Sequence, residues 1–60
     1  MLKEVIALKQ YRNIKTGNIY IVNLIGKNSE NPEELLVVYQ RDEDVWIRPL
    51  ELFKVKFEEI

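Results

Sequence analysis

The stretch that decides the fold is Val45-Trp46-Ile47-Arg48-Pro49-Leu50-Glu51-Leu52-Phe53, near the end of the chain. It begins with the β-branched and aromatic side chains that are typical of a strand. Pro49 then ends the strand, because proline has no N–H group and its fixed φ suits the first position of a helical turn. The stretch therefore predicts one turn of 3₁₀-helix over Pro49–Phe53, followed at once by a further strand over Lys54–Glu58.

A strand, a helical turn and a strand in this order are typical of the closing end of small SH3-like barrels. Turn signals divide the rest of the chain at Thr16-Gly17-Asn18, at the polar loop Asn28–Glu33 and at Asp42-Glu43-Asp44. We therefore predict an all-β fold, a small five-stranded antiparallel SH3-like barrel that forms a single domain over residues 1–60. The predicted strands are Tyr11–Lys15, Ile19–Ile25, Leu35–Arg41, Val45–Arg48 and Lys54–Glu58.

Two predicted strands carry apolar side chains on both faces, whereas a sheet with one face in water alternates more cleanly. The predicted core residues are Val22, Leu24, Val37 and Tyr39, which leaves Ile19, Ile21, Leu36 and Val38 for an outer face. A small monomer would leave such a face exposed. We therefore predict that a second copy covers it in a symmetric homodimer, the commonest form of homo-oligomer.

The composition excludes several classes of function. The chain has 60 residues, with nine basic and ten acidic side chains, a formal charge of −1, and neither cysteine nor histidine. Disulfides, Cys/His zinc sites and catalytic arrangements that use cysteine or histidine are therefore excluded. The balanced charge provides no global positive field for nucleic acid. We expect a protein that is not an enzyme and that uses no cofactor and no metal.

The N-terminal residues resemble neither a signal peptide nor a membrane span. Glu4 interrupts the apolar run that a signal peptide needs, and no segment approaches the roughly 20 apolar residues of a membrane helix. Together with the absence of cysteine, this predicts a cytoplasmic protein with no membrane partner. Within Leu2–Leu8 the pattern allows a helical turn or a backward extension of the first strand. Adjacent β-branched residues and the lack of a capping residue favour extended structure.

Two residues of the deciding stretch have both a structural and a functional interpretation. Trp46 suits a stacking platform for a base or a proline-rich peptide, but a single tryptophan in a small domain more often belongs to the core or the barrel rim. The Arg48 guanidinium suits a phosphate or a carboxylate. The alternative for Arg48 is an internal ion pair with Glu51 or Glu30 that stabilises the corner between strand and helical turn.

The remaining charged residues indicate little chemistry. A basic patch with interleaved tyrosines has the composition of a single-strand nucleic-acid surface, although the ten carboxylates of the chain dilute it. The residues of this patch are Tyr11, Arg12, Lys15, Lys27, Arg41 and Arg48, with Tyr20 and Tyr39. The carboxylates of Glu33-Glu34 and Asp42-Glu43-Asp44 lie in predicted turns. General acid–base catalysis needs carboxylates in a dry pocket, and a calcium loop needs a glycine and spaced ligands. We therefore expect neither catalysis nor a metal site there.

The chain resembles a family of small bacterial and phage domains of unknown function. The family signature runs Y-R-H-x-K-G, H-S-E-T, L-V-V-Y and W-V-R-P-L-E-M-F, and the similarity covers Tyr11 to Phe53. The matching residues are Tyr11-Arg12, Lys15, Tyr20, Ser29-Glu30, Leu36-Val37-Val38-Tyr39 and Trp46–Phe53. The resemblance implies an SH3-like barrel without an established activity. It also implies motif positions at Tyr11, Arg12, Ser29, Glu30, Trp46, Arg48 and Glu51.

Departures from this signature limit what can be transferred. Asn13 and Asn28 replace the two motif histidines, so a role that needs imidazole is lost, whereas binding survives such a change more readily. The loop between Tyr39 and Trp46 is also shorter. We expect a non-catalytic protein-interaction module, of the kind found in phage or bacterial accessory proteins, that binds a host protein or itself through exposed strand edges. The alternative is a nucleic-acid or nucleotide-binding module that uses Arg12, Arg48, Tyr39 and Trp46, and steep salt dependence would distinguish it.

Overall fold

The computed structural model describes all 60 residues of the chain and shows a small sheet with one short helix against it. This confirms the all-β class. The elements are β1 (Gln10–Asn13), β2 (Ile19–Asn28), β3 (Asn31–Arg41), β4 (Asp44–Pro49), α1 (Leu50–Lys56) and β5 (Phe57–Glu59).

The five strands form one antiparallel sheet in the order β4-β3-β2-β1-β5. The two edge strands, β4 and β5, do not pair with each other, so the sheet is open and the predicted closed barrel is wrong. The physical reason lies at the C-terminus. Residues 54–56, which were predicted to begin the last strand, continue the helix instead. The last strand is consequently only three residues long and pairs with β1 alone.

The turn between β1 and β2 forms where the sequence predicts it. Gly17 has a φ of +79°, which glycine adopts without strain and side-chain-bearing residues rarely adopt, and no atom lies near the position of a Cβ there. The Asn13 side-chain oxygen accepts hydrogen bonds from the backbone N–H groups of Lys15 and Thr16, at 3.0 and 3.1 Å. These bonds are those of an asparagine-initiated turn. They fix the loop and begin the hairpin.

The hairpin of β2 and β3 is longer than predicted and contains two irregularities. One lies at Asn23, where the register shifts between Val22 and Leu24. A single extra residue moves the following side chains to the opposite face, so Leu24 is 52% exposed and the prediction that it belongs to the core is wrong. Ile25 instead packs against the core.

The second irregularity replaces the long loop that was predicted over 28–33. Strand β3 begins at Asn31, directly after a tight turn. Asn31 pairs with Asn28, and the next registered pair joins Lys27 to Leu35, so Pro32 lies in an unpaired bulge. Proline is tolerated there because a bulged residue donates no ladder hydrogen bond.

The predicted 3₁₀ turn is a seven-residue α-helix, α1, which begins directly after Pro49. Leu50 packs against the core and Phe53 is fully buried, so the two side chains predicted to point inward do so. Phe57 follows four residues after Phe53, and their rings stack with centroids 4.0 Å apart. The spacing of Leu50, Phe53 and Phe57 is helical, and it outweighs the alternating pattern that predicted a strand.

The core lies between α1 and the inner face of the sheet, which we define as the face that carries Val22, Val37 and Tyr39. Edge-to-face and stacked aromatic pairs dominate it, with ring centroids between 4.0 and 5.7 Å. Such pairs contribute about 0.5–1.5 kcal/mol each beyond the burial of their area. The buried residues are Leu2, Val5, Tyr11, Val22, Val37, Tyr39, Phe53 and Phe57.

The N-terminal residues 1–9 form neither a helix nor a strand, so the predicted extension of β1 is wrong. The backbone turns at Leu8, whose φ is +72°. The Leu8 N–H donates to Val22 at 2.7 Å, and the Leu2 N–H donates to Lys54 in α1 at 3.0 Å. Leu2 and Val5 are buried. This segment therefore completes the core that five short strands and one helix leave open.

Candidate functional site

The first candidate surface is the free edge of β4. This strand pairs with β3 on one side only, so its other side presents unpaired backbone N–H and C=O groups. Three consecutive apolar side chains stand on this edge, and all are exposed: Val45 by 55%, Trp46 by 49% and Ile47 by 65%. Trp46 is therefore not a core residue.

An apolar outer face continues from this edge across the sheet. Val38 pairs with Ile47 on one side and with Leu24 on the other, which places the three side chains in one row. Ile19 and Ile21 extend the row along β2 and are exposed. The prediction of an apolar outer face is confirmed for Ile19 and Ile21, and Leu36 and Val38 are half-buried on the same face. Leu24, Val45 and Ile47 belong to it as well.

Arg48 lies on the other face of β4, beside the aromatic core. Its guanidinium carbon is 5.8 Å from the centroid of the Phe57 ring, in a cation–π arrangement. Its Nη1 atom is buried and makes no hydrogen bond within the chain. Neither Glu51 nor Glu30 pairs with it, so the predicted ion pair is wrong. Glu51 instead approaches Lys54, with Nζ and Oε2 separated by 3.8 Å.

Tyr39 is the group whose proton affinity this arrangement changes. Burial raises the pKa of the Tyr39 hydroxyl, because a buried phenolate loses its hydration, and Tyr20 raises it further. The positive charge and hydrogen-bonding capacity of the neighbouring Arg48 act in the opposite direction, and burial prevails. Tyr39 therefore stays neutral over the whole physiological range and supports the core.

The second candidate surface is a cleft of about 420 Å³ between the β1–β2 turn and the C-terminal end of α1. We call it the basic cleft, because three of its seven lining residues are cations and none is acidic. Its lining comprises Asn13, Ile14, Lys15, Thr16, Arg48, Val55 and Lys56. The cleft brings residues 13–16 together with residues 48, 55 and 56. Lys56 and Val55 were missed as lining residues, because a strand was predicted where the helix continues.

The remaining sequence-predicted site residues are scattered. Tyr11 is buried, and its hydroxyl accepts a hydrogen bond from the Ile6 N–H at 2.9 Å. The Nη1 atom of Arg12 lies 3.2 Å from Oε2 of Glu58, and the two residues stand opposite each other on β1 and β5. Ser29 and Glu30 form the exposed turn between β2 and β3. The structure therefore brings together Tyr39, Trp46 and Arg48 on neighbouring strands, and it separates them from the other five.

The four residues of the nucleic-acid alternative do not form one exposed surface. Tyr39 is buried, so its ring is not free to stack on a base. Arg12 lies on β1 and Trp46 on β4, which are separated by two strands of the sheet. No group of three or more metal-ligating side chains occurs, and no helix is long and apolar enough to cross a membrane.

Comparison with known proteins identifies a family but no activity. The sequence model of the family described as "Protein of unknown function (DUF1653)" matches residues 9–59, which is most of the chain. No curated protein and no solved structure matches the chain. The match begins just before β1 and ends at the last residue of β5, so it includes the whole sheet and α1.

Proposed function

Because the chain belongs to the DUF1653 family of proteins of unknown function, we propose its function from its surfaces: it is a non-catalytic protein-interaction module. The partner that fits best is a second copy of the same chain, bound through the free edge of β4. A cytoplasmic location is part of this proposal, since the chain contains no cysteine.

One observation carries this proposal: the unpaired edge of β4 coincides with three consecutive exposed apolar side chains, which include the two most exposed of the sheet, Ile47 and Val45. An unpaired strand edge accepts another strand through main-chain hydrogen bonds. Soluble proteins usually protect such edges with charges, bulges or very short strands. Here Val45, Trp46 and Ile47 leave the edge both apolar and open, which favours an interface over a solvated surface.

The order of side chains along β4 favours a second copy as the occupant. Proline has no N–H group, so pairing has to stop before Pro49 and is limited to Asp44–Arg48, whose midpoint is Trp46. Antiparallel pairing of two copies about this midpoint sets Val45 opposite Ile47 and Asp44 opposite Arg48. Aliphatic residues then face aliphatic residues, and no like charges stand opposite each other. A symmetric interface requires such self-complementarity.

Sedimentation of the purified chain tests the proposal. We expect a dimer at high micromolar concentration. Ile47→Lys introduces a charge at the centre of the edge without touching the core, and it should weaken dimerisation by about 30-fold or more, the loss typical of a hot-spot residue. Glu59→Lys is the matched control. It places a lysine on the opposite edge strand, β5, and should leave the dimer unchanged.

Two results would contradict self-association. The first is a wild-type monomer at high micromolar concentration, in which case the exposed apolar side chains of β4 are free for another protein. The second is an equal loss of dimer in Ile47→Lys and Glu59→Lys, because the effect would then reflect net charge and not the β4 edge.

A further inference from the structure

The basic cleft concentrates cations that have no partner in the chain. Two ion pairs exist, Arg12 with Glu58 and Lys54 with Glu51. Lys15, Arg48 and Lys56 take part in neither, and all three line the same cleft without a carboxylate among its lining residues. Acidic side chains outnumber basic ones in the chain as a whole, so a cluster of three unpaired cations is a local feature and not a reflection of composition.

Two polar side chains of the cleft keep donors for a ligand. The Thr16 hydroxyl oxygen accepts a hydrogen bond from the Asn18 N–H at 3.2 Å, which leaves the hydroxyl proton to be donated elsewhere. The Asn13 side-chain oxygen accepts from the Lys15 and Thr16 N–H groups. These bonds fix the orientation of the amide, so its NH₂ group remains a donor without an acceptor.

Arg48 is held in place before any ligand arrives. Strand β4 fixes its backbone, and the Phe57 ring supports its guanidinium at 5.8 Å. The Nη1 atom is buried without a hydrogen bond in the chain, and a buried cation is costly unless an opposite charge lies close. An anion in the adjacent cleft would supply that charge.

We propose that the basic cleft binds a phosphate group. A phosphate carries close to two negative charges near neutral pH and several strong acceptor oxygens, which suits three cations and two neutral donors better than a single carboxylate does. Ile14 and Val55 add apolar surface to the lining, which suits the organic part of a phosphate monoester. This inference does not rest on self-association, because Lys15, Thr16 and Lys56 lie away from the β4 edge.

Titrations monitored by amide chemical shifts test the proposal on the intact chain. Inorganic phosphate and adenosine monophosphate are the two probes, and sodium chloride keeps the ionic strength constant. We expect saturable chemical-shift changes for the backbone amides of residues 13–17 and 56. Lys15→Ala and Lys56→Ala should each weaken binding by about 5- to 10-fold, as expected for the loss of one charge-assisted contact. The control variants Lys9→Ala and Lys27→Ala should bind as the wild type does.

The outcomes separate the two sources of a phosphate group. Tighter binding of adenosine monophosphate supports a phosphate ester as the ligand, whereas equal binding of both probes supports free phosphate. Two results would overturn the proposal. The first is chemical-shift changes that do not saturate, and the second is an equal loss of affinity in Lys9→Ala and Lys15→Ala. Lys15 and Lys56 are exposed, so we expect their alanine variants to fold normally. A circular dichroism spectrum equal to that of the wild type checks this.

Discussion

The two edges of the sheet are built differently. The edge strand β5 has three residues. Phe57 is fully buried in the core, and Glu58 and Glu59 are exposed. The edge strand β4 has six residues, and its exposed positions include Val45, Trp46 and Ile47. Short length and charge are common means of protecting an edge from other strands. Strand β5 has both, whereas β4 is twice as long and has charged residues only toward its two ends, Asp44 and Arg48.

The large aromatic side chains of the two edges are placed differently. Phe57 stacks on Phe53 and joins β5 to the core, and the exposed pair of Arg12 and Glu58 adds at most about 1 kcal/mol. Trp46, the single tryptophan of the chain, is half exposed on β4. The β5 edge is therefore devoted to the stability of the monomer, and we infer that the β4 edge is devoted to a partner.

The largest predicted effect sharpens this contrast through one aromatic side chain on each edge. Phe57→Ala should destabilise the monomer by about 3–5 kcal/mol, because it removes a fully buried ring and leaves a cavity. Trp46→Ala should cost the monomer only about 1 kcal/mol, because half of the side chain is already in water. Chemical denaturation at concentrations below the dissociation constant of the dimer measures both values.

A reversed order would break the comparison. If Trp46→Ala destabilised the monomer as much as Phe57→Ala, the tryptophan would be a structural residue and the β4 edge would have no reserved binding side chain. Leu52→Ala is a suitable reference for both variants, since Leu52 is an exposed residue of α1.

A smaller effect concerns the part of the core beside β4. The pKa of Tyr39 is raised in the folded chain above the usual value of 10.0, so the unfolded chain loses this proton at lower pH than the folded chain does. The resulting stabilisation is complete below about pH 10 and disappears as the pH rises through the folded-state pKa. We expect a decline of stability above pH 10 that is weaker in Tyr39→Phe. Equal slopes for both proteins in alkaline thermal unfolding would contradict the burial of Tyr39.

Local signals in the sequence predicted much of the fold. Thr16-Gly17-Asn18 gave the first turn correctly, because glycine and asparagine have few alternative roles in such a position. Pro49 marked the end of β4 and the start of the helix for the same kind of reason. The helix was predicted too short, although the spacing of Leu50, Phe53 and Phe57 indicates about two helical turns and not one.

Features that depend on tertiary pairing were not predictable from the sequence. The bulge at Asn23 moves Leu24 to the outer face, and no residue type in this part of the sequence predicts a bulge. Arg48 was expected to meet Glu51 or Glu30, which are close in sequence or in the predicted topology, but the helix directs Glu51 toward Lys54. The basic cleft required the position of Lys56 at the end of α1. A helical turn that ends at Phe53 does not place Lys56 beside the β1–β2 turn, so the cleft could not be predicted from the sequence.

The most direct test of the central claim, self-pairing of β4 about Trp46, is a cross-linking experiment with two cysteine variants. The chain has no cysteine of its own, so only the introduced thiols react. In the proposed register Val45 of one copy stands opposite Ile47 of the other, with Cβ atoms about 4.5–5.5 Å apart, close to disulfide distance. Identical positions are offset by two residues, about 7 Å along the strand. Under mild oxidation an equimolar mixture of Val45→Cys and Ile47→Cys should therefore form a disulfide-linked dimer, and neither variant alone should do so. Cross-linking of either variant with itself, or no cross-linking in any sample, would contradict the account.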